Sequence, residues 1–211
     1  MYEVKGVPSV NKIAEIELKR IANILVFFAK TTENFGVTKA NKLLYYLDCH
    51  HLLKYGRTVI KDKYIKNCLG PVPIETYRKL NVIRELSSLT ENDKQEFNID
   101  HELLFEYIEI ISEDIGSNRP LEKIVAKKDF EKTWFSESER EIMAELAIKY
   151  HRTSAKELSL KTHNESPYKE AKMDELIDLK LFLKDHNRPQ NEIDYAAYTE
   201  KLIEAISTNF Q

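Results

Sequence analysis

The sequence predicts a mainly α fold (α+β), a compact helical domain with a small β-hairpin or sheet element. Three observations lead there. Apolar residues recur at helical spacing through the first quarter of the chain. Two serine–glutamate capping boxes open helices in the last third. Between them lie two Gly/Pro turn signals beside strand-prone residues.

Residues 10–34 read as a helix capped by Ser9 or Asn11, with Ile13, Ile16, Ile21, Ile24, Leu25 and Phe28 on one face. Gly36 ends it. Thr38 offers an N-cap for a second helix over about 39–55, closed by Gly56, with Leu43, Leu44, Leu47 and His51 in one stripe. The short link predicts antiparallel packing of the two. Thr58, Val59, Ile60, Tyr64 and Ile65 are strand-prone, interrupted by Lys61-Asp62-Lys63. In Gly70-Pro71-Val72-Pro73 each proline fixes its own φ, which predicts an extended loop. A helix follows from about Ile74 to Leu86.

Phe97 to Phe130 reads as an extended hairpin turning at Gly116-Ser117-Asn118-Arg119-Pro120. Helix competes for 101–111, because His101-Glu102-Leu103-Leu104 lacks alternation. Ser136-Glu137-Ser138-Glu139 and Ser154-Ala155-Lys156-Glu157 are the capping boxes, opening helices to about Tyr150 and Leu160. Trp134 reads as a hydrophobic staple for the first of them. Ser166-Pro167 predicts another short helix. Residues 174–186 are weakly periodic, and a last helix is expected from Tyr195 to Ile206. The whole, 1–211, reads as a single domain.

Apolar residues make up 42% of the chain and charged residues 32%, a balance that argues for a globular protein and against disorder. The longest apolar run, Ile24 to Ala29, is too short to span a membrane. The start, Met1-Tyr2-Glu3-Val4-Lys5, lacks a signal-peptide pattern. Cys49 and Cys68 form no CxxC, so a reducing cytoplasm is the expected setting. The charge is uneven. Residues 1–80 hold 14 Lys/Arg against 7 Asp/Glu, and residues 81–211 hold 18 against 28. Such a split marks either a face for an acidic partner or two halves that neutralise each other.

Chemistry-bearing motifs are sparse. Asp48 and His51 share a helix face beside Cys49 and His50, but a metal site needs three or more converging ligands. Cys68, His101 and His163 have no supporting spacing. The competing reading is that His51 fills a half-buried face while Asp48 or His50 meets water. Cys49 and His50 are helix neighbours and point apart, so they make no nucleophile–base pair. No GxSxG, HExxH or phosphate-loop motif occurs. We expect no catalytic residues, no metal and no cofactor. A nucleic-acid reader would need several cations along one helix face, and 39–55 offers only Lys39, Lys42 and Lys54. By elimination a binding role is expected.

Several segments in order resemble the Panacea domain family. They are Lys42-Leu43-Leu44-Tyr45-Tyr46-Leu47-Asp48 with His51, Tyr55 and Gly56-Arg57, then Tyr64-Ile65 leading to Gly70-Pro71-Val72-Pro73 and Tyr77. Phe135-Ser136-Glu137 through Leu146 follow, then Ser154 to Ser159, Thr162-His163, Pro167 to Ala171 and finally Ile193-Asp194-Tyr195. Cys68-Leu69 and Tyr168 depart from the common pattern, and 81–134 is a stretch where the family varies. The resemblance implies a mostly helical fold with a small β element. It implies an antitoxin of a toxin–antitoxin pair, often phage or prophage encoded, that binds its toxin directly. A SocA-type member also delivers its toxin to a Clp protease.

The expected toxin-binding residues are Tyr45, Tyr46, His51, Arg57, Tyr64, Pro71, Pro73, Tyr77 and His163. Tyrosines suit interfaces, and a proline-rigid loop loses little entropy on binding. In this expectation the basic segment 1–80 is the docking face, with Arg57 steering association and Tyr64 anchoring the partner.

Overall fold

A computed structural model describes residues 10–88, 102–113 and 120–209. Ser9, Phe97, His101 and the turn residues 116–119 lie outside them. Among the described residues the fold is mainly α, with nine α-helices and two antiparallel two-stranded sheets. Helix α1 (Val10–Thr31) is followed by α2 (Val37–Tyr55), but the antiparallel packing expected of the two is not the main contact of α1, which lies against the segments 102–107, 121–126 and 137–150. Strands β1 (Tyr64–Asn67) and β2 (Gly70–Pro73) precede α3 (Ile74–Ser88). Helix α4 (Glu102–Tyr107) leads into β3 (Ile108–Glu113), which pairs with β4 (Leu121–Ala126). A 3-10 turn at Lys132–Trp134 introduces α5 (Glu137–Tyr150) and α6 (Ala155–Thr162). Short helices α7 (Ser166–Glu170) and α8 (Leu181–Asp185) precede α9 (Gln190–Asn209).

Helix α2 is the axis of the fold. It touches α5, α6, α8 and β2, and 14 of its 19 residues are buried, so even its polar residues must be satisfied inside. Its C-terminus closes as expected, with Gly56 left-handed at φ 71 and its N–H on the Leu52 carbonyl. Its start differs: Gly36 holds the N-cap position without a side-chain cap, and Thr38 lies inside the helix. A Cβ at Gly36 would lie 2.4 Å from the Glu122 carbonyl oxygen, so close approach of β4 selects glycine there.

Both capping boxes form. Ser136 Oγ accepts from Glu139 N while the Glu139 carboxylate accepts from Ser136 N, and Ser154 and Glu157 repeat the arrangement. Helix α7 begins one residue earlier than expected, at Ser166, with Glu165 and not Ser166 at the cap position and Pro167 in the first turn. Trp134 is partly buried against the core just before α5.

Two expectations are corrected. Gly70–Pro73 is not a loop but a strand, paired with β1 from Tyr64↔Pro73 to Asn67↔Gly70. Prolines are tolerated because β2 is an edge of the pair. Thr58–Ile60 is not a strand: the N–H groups of Val59 and Ile60 donate to the Asp48 carboxylate instead of to a ladder. The later hairpin forms as β3 and β4, while the competing helix takes 102–107 ahead of it.

Candidate functional site

The densest polar constellation is built on the buried side of α2. Asp48 is fully buried, and its carboxylate is the hub. Oδ1 accepts from Val59 N (2.7 Å) and Ile60 N (2.9 Å), and Oδ2 accepts from the Tyr64 hydroxyl (2.8 Å). Burial raises its pKa to about 6 despite those three donors. Asp48 therefore ties the chain after α2, and the start of β1, onto the helix. Of the two residues read as meeting water, Asp48 does not, and His50 is half-buried.

One and a half turns earlier, Lys42 crosses beneath the second strand. Its Nζ donates to the Pro71 carbonyl (2.7 Å), and no part of the residue is exposed. Burial lowers the amine to about 7. Gly70 sits directly above it at φ 100, and a Cβ there would lie 2.6 Å from both Lys42 Cε and Thr162 Oγ1. Only glycine meets both the backbone angle and the contact. Lys39, nearer the helix start, donates to the carbonyls of Glu33 (2.7 Å) and His151 (3.1 Å). The remaining lysine of α2, Lys54, pairs with Glu141 (2.8 Å) and Glu145 (3.4 Å) on α5. All three cations of this helix are engaged by the protein itself.

Residues 41–169 match the family of SocA-like antitoxins defined by the Panacea domain. The chain belongs to that family. Its role is thus of the antitoxin type. No curated protein and no solved structure gives a match. The matched span starts inside α2 and ends inside α7, so it takes in Lys42, Asp48, Tyr64, Gly70, Pro71 and Thr162, while Lys39 and Glu33 lie just before it.

The rest of the Panacea-domain network extends from the tyrosine pair. Tyr45 Oη donates to Glu165 Oε2 at 3.0 Å, and burial raises that carboxyl. Tyr46 stacks on Tyr150 with centroids 5.2 Å apart, and Tyr45 meets Tyr64 edge-on at 5.7 Å. His51 donates from Nδ1 to the Arg57 carbonyl (2.7 Å) and faces Ser138 Oγ through Nε2 (3.2 Å). Arg57 and Arg20 converge on buried Glu139, at 3.2 and 2.9 Å. His163 stacks on Tyr168 at 4.3 Å, and Lys66 lies 4.5 Å above the other ring position of that pair, over Tyr168. The His163 pKa is lowered by burial first and by Lys42 and Lys66 next.

The structure thus moves most of the expected docking residues inward. Tyr45, Tyr46, His51, Tyr64, Pro71 and Pro73 are buried, and Tyr64 is a hub of the core rather than a surface anchor. Arg57 is partly exposed but committed to Glu139. His163 is half-buried against Tyr168, and Tyr77 alone of the tyrosines named is open, at 36% exposure. Sequence reasoning overlooked Lys42, Gly70, Glu165 and Glu139 as its organising partners. A signal existed: Lys42 and Asp48 are charged residues within the apolar run of α2, where they must be buried and paired. Their partners, Pro71 for Lys42 and Val59, Ile60 and Tyr64 for Asp48, had none, nor had Glu165, 120 residues from Tyr45. Arg20, Lys30, Lys54 and Arg57 of the basic half pair with carboxylates of the acidic half, and Lys19, Lys61 and Arg78 with carboxylates of their own half. Among the described residues no helix is long and apolar enough to cross a membrane.

Proposed function

We propose that this chain neutralises a cognate toxin by direct protein–protein binding, as a binding protein and not an enzyme. The observation that carries the reading is the match to SocA-like antitoxins over residues 41–169. The buried network supports it in a physical sense. Asp48, Lys42 and Glu165 spend their bonding capacity on holding β1, β2 and α7 to α2, which makes a rigid platform. A preordered surface loses less entropy on association. The toxin is expected to be the product of the adjacent gene, and delivery of the bound toxin to a Clp protease is the finer form of the same proposal.

Co-expression tests it. The adjacent gene product alone should arrest growth, and this chain should restore it. A harmless neighbour, or toxicity that persists with this chain present, refutes the reading. Repeating the rescue in cells lacking the Clp protease separates the two forms: rescue that survives means binding suffices, and rescue that disappears means degradation is required.

A further inference from the structure

Helix α9 carries an apolar row that the fold does not use. Tyr195, Tyr198 and Leu202 are exposed and spaced three and four residues apart, and exposed Ala205 continues the row. Alternating steps of three and four are the seam of a coiled coil, because they keep one stripe turned toward a partner helix. On the helix this row lies nearly opposite Ile193 and Ala196, the residues that bury α9 against Leu52 and Leu183. A second helix laid on the row would therefore lie on the side of α9 away from the body.

The charges along the row select which helix fits. Asp194 and Lys201 flank it on one side, seven residues apart, exposed and opposite in sign. Asp194 accepts from the neutral Gln190 amide (2.8 Å), and Lys201 has no ion pair among the described residues. On the other flank Glu192 is matched within its own helix by Arg188 just before it (3.6 Å). Glu200 and Glu204 hold positions on the side away from the row. Laid antiparallel so that Tyr195 meets the partner's Tyr198, two copies of α9 bring Asp194 beside the partner's Lys201, and Lys201 beside the partner's Asp194. A slip of one heptad either way sets lysine against lysine or aspartate against aspartate. A parallel pairing leaves both charges without an opposite. The row is thus complementary to itself about a two-fold axis, as an interface between identical chains requires. With four acidic residues against one lysine, α9 suits neither an anionic membrane nor a nucleic acid.

We infer that α9 is a homodimerisation helix: it pairs antiparallel with α9 of a second copy through Tyr195, Tyr198 and Leu202, and Asp194 and Lys201 set the register.

Sedimentation velocity on the full chain, with no toxin present, tests it. A single helix pair is a small interface, so the wild type should pass from monomer to dimer over roughly 1 to 100 µM. Tyr198→Asp should stay monomeric across that range. Thermal melting at the lowest concentration checks folding, and Leu202→Asp stands in if Tyr198→Asp unfolds. Asp194→Lys and Lys201→Glu should each weaken dimerisation at least about fivefold, because each turns two attractive contacts repulsive. An equimolar mixture of those two variants should dimerise as well as the wild type, since the mixed pair regains both contacts between opposite charges. A wild type that stays monomeric overturns the inference, as does a dimer that both aspartate variants leave intact. A mixture no better than its two components overturns it as well, because Asp194 and Lys201 would then not meet across the pair.

Discussion

Helices α2 and α9 are nearly equal in length, 19 and 20 residues, and each carries a tyrosine pair. Their fates are opposite. Tyr45 and Tyr46 of α2 are 0% and 2% exposed, whereas Tyr195 and Tyr198 of α9 are 65% and 63% exposed. Helix α9 meets the body through Ile193 and Ala196, which join Leu52 and Leu183 in a small satellite cluster. The difference lies in what each hydroxyl can reach. Tyr45 finds the carboxylate of Glu165 inside the protein, so the whole ring can be buried at little polar cost. A tyrosine in a sequence is therefore no guide to an interface until its hydroxyl partner is known.

The sharpest way to break this contrast is Asp48→Ala. It strands the Val59 and Ile60 N–H groups and the Tyr64 hydroxyl in a dry interior. We expect a loss of about 3–5 kcal/mol in urea unfolding, the range for a broken buried network. A loss under 1 kcal/mol would mean that α2 does not depend on its polar hub. Gly70→Ala comes next, at about 2–3 kcal/mol, because it strains φ 100 and forces a Cβ onto Lys42 Cε and Thr162 Oγ1. Its thermal midpoint should fall well below that of any α9 variant.

Lys42 adds a pH signature that α9 lacks. Its amine titrates near 7 in the folded chain and near 10.5 when unfolded. Between those values the unfolded chain binds more protons, so stability rises with pH, by about 1.4 kcal/mol per unit at the steepest. Below about 7 the folded chain must also take up the proton, and that gain is gone. Unfolding free energies measured from pH 7 to 9.5 should climb in the wild type and flatten in Lys42→Met. Equal slopes would show that the amine is not desolvated in the folded chain.

The smallest effects refine the tyrosine comparison. Tyr45→Phe removes one buried hydrogen bond and should cost about 1 kcal/mol, while Tyr198→Phe should stay within about 0.5 kcal/mol. Equal values would erase the distinction drawn between the helices.

Much of the architecture was legible. Both capping boxes, the left-handed Gly56 and the long helices follow from local rules, since a cap or a turn is decided within a few residues. The site was less so. Asp48 and His51 drew notice as possible metal ligands, yet Asp48 serves backbone N–H groups and His51 a backbone carbonyl. The same residues at the same spacing would suit either use, and only the surrounding chain distinguishes them. Pro71 and Pro73 read as a loop because proline cannot donate to a ladder, but an edge strand asks for no such donor.

The sequence by itself determined the long helices, the two capping boxes, the closing Gly56 and the membership of the SocA-like family, because each is written in residues close together or in a fixed order. Tertiary structure decided which tyrosines are core, which lysines are spent, and that Gly70–Pro73 is a strand paired with β1. Those outcomes depend on contacts between distant segments, such as Tyr45 with Glu165 and Ile65 with Leu176. Burial is a property of what lies opposite a side chain, and no local pattern names the neighbour that a fold will bring there.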